Sequence, residues 1–442
     1  MTREYRRRDV VKGAAGLGAV AGVAGCTQLG GDGGDGGGGD GGDGGDGGSG
    51  GAEALVVIGY PESGVQLFKD FYSDFDTDVP IFVTDGLKAP ELPGQVGNDM
   101  SNVTGTAPTA AGPGQEFFTN RFQEEFGAEP GVFTSQAYDA SAVLMLANLA
   151  AGENNGKAVR DQMRAVANPS GEEFGPSELA DAVEAVAAGD DINYAGASSS
   201  VNFDENGDMR AVTYEVFGFT SDGVTQQSTI DFGGGGGDGG SSADYPGSSS
   251  GRTVKFGVLM PLTGDLAPVG KPIRDGAILP ARQLEGNTDF TFDYQVEDTQ
   301  TNPDAGVSAA ETLVNAGYPA VTGPASSGVN LQVSKQVFIP SKVVGCSPSS
   351  TSPTVTTLED NDYIYRTPPS DALQGQVLAQ LAADNDVSSV STLYVNNDYG
   401  QALSQSFKKA FEDNHDGTVP QQVAFEKQKS SYTSQLNTAL GQ

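Results

Sequence analysis

Short β-branched runs alternate with helical patterns through almost all of this chain, and that alternation restricts the fold more than any other feature. Ala54-Leu55-Val56-Val57-Ile58 precedes an amphipathic stretch over Val65–Phe75. Pro80–Thr84 reads as a second strand, and Gln115–Phe126 and Ala137–Ala151 read as helices. Further along, Val254–Met260, Phe290–Val296, Ala320–Thr322, Val343–Gly345 and Ser391–Val395 read as strands. Between them lie helical runs at Ala305–Ala316, Leu331–Phe338, Ala372–Asp384 and Leu403–Phe411. Strands alternating with helices imply an α/β fold of parallel sheets covered by helices on both faces.

Two tracts interrupt this pattern. Residues 27–51 are almost entirely Gly and Asp, and residues 233–251 are Gly/Ser-rich. Neither offers enough apolar surface to offset the entropy of ordering, so both are expected to be flexible connectors. They leave two globular segments, 52–232 and 252–442, each the size of one lobe or slightly more.

The first 26 residues carry a separate message. Arg7-Arg8 precedes a short apolar, small-residue run that ends at Cys26. That run is too short to span a bilayer comfortably and is charged on its N-terminal side, so it reads as a removable export signal. The paired arginines resemble a twin-arginine signal. Small residues before Cys26 resemble a lipobox, with Cys26 lipidated and 27–51 serving as a tether. This places the mature chain on the extracellular face of the cytoplasmic membrane.

Composition narrows the partners. With 58 acidic against 24 basic residues, the formal charge is -34. Such a field repels nucleic acid and anionic lipid. It suits a surface that works in concentrated salt, where screening removes the self-repulsion. If Cys26 is lipidated, Cys346 has no partner and no disulfide framework exists. One histidine, His415, sits in a charged stretch and cannot supply a zinc site or a nucleophile–histidine pair. Asp204-Glu205-Asn206-Gly207-Asp208 approaches a calcium loop, but Met209 occupies the position that needs glycine. No metal or cofactor is expected. Asn102-Val103-Thr104 is a glycosylation sequon.

In open parallel sheets, ligands bind beyond the carboxyl ends of the strands. Six residues follow predicted strands: Tyr60, Asp85, Ser327, Ser349, Thr351 and Tyr399. Hydroxyls at Ser327 and Thr351 suit a carboxylate, Asp85 suits an ammonium, and the two tyrosines offer apolar faces with polar tips.

Several motifs together resemble the branched-chain amino-acid-binding proteins of ABC importers. These are Lys255–Gly264, Gly323-Pro324-Ala325-Ser326-Ser327, Ser347–Pro353, Asn397-Asp398-Tyr399-Gly400, Ile58–Glu62, Thr84-Asp85-Gly86 and Tyr138-Asp139-Ala140. The resemblance implies two doubly wound parallel-sheet lobes joined by a hinge, the type I periplasmic-binding fold. It also implies a ligand carboxylate at Ser327 and Thr351, and an ammonium at Asp85 assisted by the Ser349 carbonyl and the Thr351 hydroxyl. Tyr60 and Tyr399 would close from the other lobe.

Family members begin with the segment numbered here from 253 and finish with the one ending near 232. The chain is therefore expected to be circularly permuted, with 233–251 bridging the old termini; a flexible linker of that size spans about 25 Å. Val269 stands where amino-acid binders often carry an aromatic, which leaves the ligand open between a branched-chain amino acid, another small amino acid, and urea or a short amide. The expected partners are that ligand, a membrane permease and the membrane itself through the lipid. A ligand-sensing receptor module is the alternative use of the same lobes. No P-loop, metal cluster or nucleophile elbow suggests an enzyme.

Overall fold

The computed structural model describes residues 51–75, 78–168, 171–221, 223–232 and 245–442, all within one compact unit. The expected export signal with Cys26, the tether before Gly51 and residues 233–244 of the expected linker lie outside the described residues. Residues 245–251 belonged to that expected linker, but they are docked. The Tyr245 hydroxyl donates to the Ala165 carbonyl at 2.9 Å, and Ser248 donates to the Leu149 carbonyl at 2.8 Å. A tyrosine in a Gly/Ser tract supplies the apolar surface that its neighbours lack.

The first segment contributes strands β1 (Ala54–Ile58), β2 (Ile81–Val83), β3 (Val103–Thr109), β4 (Glu172–Phe174), β5 (Ile192–Tyr194), β6 (Val212–Thr220) and β7 (Gly223–Phe232). The second contributes β8 (Thr253–Met260), β9 (Thr291–Asp298), β10 (Ala320–Thr322), β11 (Val344–Ser347), β12 (Ile364–Arg366), β13 (Val390–Val395) and β14 (Gln422–Phe425). Two main sheets result. One runs β12-β11-β10-β8-β9 and is parallel throughout. The other runs β14-β13-β1-β2-β3-β6-β7. Its first five strands are parallel, and β6 and β7 add to the β3 edge as an antiparallel hairpin. This hairpin departs from the all-parallel expectation; its strands follow one another with no helix between, so a short turn can join them only antiparallel.

Each sheet anchors its own apolar core. The helix Thr134–Ala150 belongs to the five-stranded lobe, and every one of its residues is buried. A helix apolar on all sides needs such complete covering. Another helix, Ala267–Leu284, was not evident in the sequence. Pro268 sits in its first turn, where a missing N–H costs nothing, but Pro272 and Pro280 lie inside it and mask the pattern.

Counted from β8, the five-stranded sheet has spatial order 2-1-3-4-5. Counted from β13, the parallel strands of the other sheet, β14-β13-β1-β2-β3, have the same order. In each, the order reverses between the first and third strands, β8 and β10 in one lobe, β13 and β1 in the other. Ligands bind at the strand ends beside such reversals. Among the described residues the chain passes between lobes at 110–114, 195–211 and 367–370, and β7 in one sheet is followed by β8 in the other.

Candidate functional site

Between the lobes lies a cleft with about 410 Å³ of atom-free space, part of it open to solvent. It opens beside both reversal points. Pro261 follows β8, Ala325-Ser326-Ser327 follow β10, Tyr60 follows β1, and Tyr399 follows β13. Of the six residues expected from sequence, Tyr60, Asp85, Ser327, Ser349 and Tyr399 line this cleft.

Thr351 is not in the lining. It is buried, and its Oγ1 has no hydrogen-bond partner. Its carbonyl instead receives the Asp371 N–H at 2.7 Å, fixing the loop after β11 to the start of the helix Asp371–Asp384.

The loops after β10 and β11 are held by their own hydroxyls. Ser347 Oγ donates to the Pro324 carbonyl at 2.6 Å, Ser349 Oγ donates to the Ala325 carbonyl at 3.1 Å, and Ser327 Oγ accepts from the Ser352 N–H at 3.2 Å. Gly323, at the end of β10, has φ of 119°, and a Cβ there would stand 2.2 Å from the Leu259 carbonyl oxygen. Only glycine fits this tight exit from the strand.

Under these loops lies Arg366, a fully buried guanidinium. It donates to both Asp208 carboxylate oxygens, at 2.5 and 2.6 Å, and to the Ser350 and Ser352 carbonyls, at 3.2 and 2.9 Å. Arg366 closes β12 just before one lobe crossing, and Asp208 ends a turn within another. The Asp204–Asp208 stretch is a self-bonded turn, in which the Asp204 carboxylate accepts from the Asn206 and Asp208 N–H groups.

Across the cleft, the Tyr60 and Tyr399 rings stack at 5.8 Å with planes 10° apart. The Tyr60 hydroxyl accepts from Asn397 Nδ2 at 2.8 Å. Tyr399 shares a hydrogen bond with Thr84 Oγ1 at 2.8 Å and donates to Asp85 at 3.4 Å. Gly86 packs tightly here, since a Cβ on it would come within 2.4 Å of the Gly59 carbonyl oxygen.

Asp85 is 3 % exposed. Burial pushes its carboxyl up to about 6, partly offset by hydrogen bonds from Gln374 and Tyr399. Asp371, behind it, is raised further by burial and by the charge of Asp85. The cation beside them, Arg366, is already engaged by Asp208. Asp85 therefore meets hydroxyl and amide donors, and among the described residues its hydrogen bonds come from no cation, which suits it to a ligand ammonium.

The apolar wall comes from Val132, Phe133, Leu266, Val269 and Ile273. Val269 lies in the first turn of the helix Ala267–Leu284 and does face the cleft, although as helix rather than loop. Sequence reading missed Val132 and Phe133. They precede a buried helix and belong to no strand–loop pattern.

Residues 253–441 match the family of periplasmic binding proteins. Among curated relatives, a Leu/Ile/Val-binding protein homologue of Brucella abortus is 31% identical over 167 residues, covering 37% of this chain and 44% of the relative. The leucine-, isoleucine-, valine-, threonine- and alanine-binding protein of Pseudomonas aeruginosa is 26% identical over 170 residues, covering 38% and 45%. The chemotactic signal transduction system substrate-binding protein BasB of Halobacterium salinarum is 29% identical over 167 residues, covering 35% and 40%. The chain thus spans less than half the length of these relatives in the matched stretch. A solved leucine-binding protein of Thermotoga maritima aligns over 42% of this chain and 53% of its own, at 25% identity and a TM-score of 0.39. All of these are binding proteins by name, as the family's fold of two lobes around a cleft would serve.

Proposed function

We propose that this chain is an extracytoplasmic, lipid-anchored solute-binding protein that closes its lobes on a small amino acid and delivers it to an ABC permease. The observation that carries this reading is the interlobe cleft lined by Asp85, which accepts from no cation, by Ser327 and Ser349, and by an apolar wall. An α-amino acid supplies what each face lacks: an ammonium for Asp85, a carboxylate for the hydroxyl-rich loops, and a side chain for Val132, Leu266 and Ile273. Bonds across the cleft, such as Ser63 Oγ to the Asp265 carboxylate at 2.8 Å and Lys427 Nζ to the Thr301 carbonyl at 3.3 Å, hold the closed form. Binding energy realised only when both lobes touch the ligand selects that closed state, the one a permease recognises.

The amino-terminal signal, Cys26 and the glycine tether support delivery at the outer membrane face, and the acidic composition supports a salt-rich setting. The matching strand orders of the two lobes, once the second is counted from β13, support a circularly permuted family fold. Thermal melting in molar salt tests the reading. A ligand at one hundred times its Kd stabilises the folded state by about 2.7 kcal/mol. A leucine-type amino acid is expected to raise the melting point, and Asp85→Ala to remove the effect; a folded chain indifferent to amino acids, urea and amides rejects it. The name of the Halobacterium relative supports a second reading, ligand sensing for chemotaxis, in which the closed form engages a membrane receptor; co-purification with a receptor rather than a permease would select it.

A further inference from the structure

A further opening lies beside the cleft just described and shares part of its wall. A second cavity of about 470 Å³ lies between the lobes, and Val132 and Phe133 line both. The lining changes character across that wall. Near Val132 and Phe133 on the first side stand Leu266, Val269 and Ile273. On the far side stand Thr119, Gln136 and the ion pair of Lys88 with Glu215.

Both compartments are served by one short piece of backbone. The turn Asp85–Leu87 delivers Asp85 to the first cavity, and its closing residue Lys88 to the second. Lys88 is partly exposed, whereas Glu215, on β6, is buried to 4 %. An ion pair so placed is neutral overall but keeps unused donors on the ammonium and unused lone pairs on the carboxylate. Phe133, between the compartments, has φ of 62°. Bulky residues rarely take that left-handed conformation, and such residues gather at ligand clamps.

We propose that the second compartment is a distal subsite for the end of a long ligand side chain. The ligand is an α-amino acid whose apolar stem crosses Val132 and Phe133 and ends in a neutral amide or ureido head. Such a head donates to Glu215 and accepts from Lys88 without disturbing the neutrality of the pair. A cationic or anionic head would be attracted by one partner and repelled by the other. A purely apolar end would strip water from both charges and return no hydrogen bond. The inference rests on the amino-acid reading of the first compartment and adds the class of side chain.

Calorimetric titration of the full chain in molar salt, with L-leucine and L-citrulline as probes, tests it. L-citrulline is expected to bind at least tenfold more tightly than L-leucine. The double variant Lys88→Met with Glu215→Gln is expected to lose that advantage while L-leucine binding changes less than threefold. Thr119→Tyr, on a partly exposed helix face, narrows the compartment while Lys88 and Glu215 keep their identity, and is expected to do the same. Equal affinities in the unaltered chain, or a preference that survives Thr119→Tyr, overturn the subsite while leaving the amino-acid reading intact. A folded chain that binds neither probe overturns both.

Discussion

Asp85 concentrates the electrostatics of the cleft in one residue. With its carboxyl raised from 3.8 to about 6 by burial, the ligand-free protein holds this proton more tightly than the unfolded chain does. The contribution of Asp85 to folding is therefore fully present below pH 4 and is lost as pH rises through 6. A ligand ammonium reverses the preference, because it stabilises the carboxylate and releases the proton on binding. Amino-acid affinity is expected to fall about tenfold per pH unit below 6 and to level off above it. Titration calorimetry from pH 4.5 to 8 in two buffers of different ionisation enthalpy would show both the slope and the released proton. Asp85→Asn should flatten the profile, and an unchanged slope would move the proton elsewhere. Asn102 illustrates the opposite case, a residue whose sequence suggests a role that its contacts oppose. Its Nδ2 donates to the Val79 carbonyl at 2.8 Å and its Oδ1 accepts from the Tyr72 hydroxyl at 2.6 Å, so a glycan on Nδ2 would leave one N–H and have to sit beside both bonds.

At the level of elements, the Arg366–Asp208 pair joins two of the lobe crossings and holds the carbonyls of the loop that presents Ser349. Removing one partner of a buried pair leaves a bare charge, at a cost of about 3–5 kcal/mol. Arg366→Met is expected to lower the denaturant midpoint accordingly, and adding Asp208→Asn should restore much of the loss. A mild effect of Arg366→Met alone would mean that water reaches the site. The elements themselves were legible to different degrees. Ala54–Ile58 and Gln115–Phe126 occupy the bounds their patterns predict, since each is a clean apolar run or an amphipathic stretch ending at glycine. Strand β3 was hidden because Gly105 and Pro108 interrupt it, and the helix Ala267–Leu284 because three prolines do. The cleft was readable where its residues directly follow strands, as Tyr60, Asp85, Ser327, Ser349 and Tyr399 do. It was unreadable at Phe133, Lys88 and Glu215, which meet only through the packing of distant segments.

The whole molecule raises the question of its chain order. Gly51 and the chain end are neighbours: a Cβ built on Gly51 would stand 2.3 Å from the Leu440 carbonyl oxygen. Strand β1 pairs in parallel with β13, and the Glu53 carboxylate accepts from the Ser388 and Ser389 N–H groups. The helix Thr433–Leu440 buries Leu436, Ala439 and Leu440 in the same core as β1. These contacts are what continuous chain from Gln442 into Gly51 would make. A rearranged chain that begins at Tyr245, runs through Gln442 directly into Gly51 and ends at Phe232 keeps every strand pairing described above. Only loop closure changes, and closure entropy grows slowly with length, at about 0.6 kcal/mol per doubling. Its denaturant midpoint should therefore lie within about 1–2 kcal/mol of the original, and its amino-acid affinity should match. Folding rate is the quantity expected to move, because relative contact order governs it and β1 and β13 become near in sequence. Stopped-flow refolding of both chains would measure this. Equal stability with faster refolding fits a permuted order, whereas a rearranged chain that cannot fold would mean that the present order of segments is itself required.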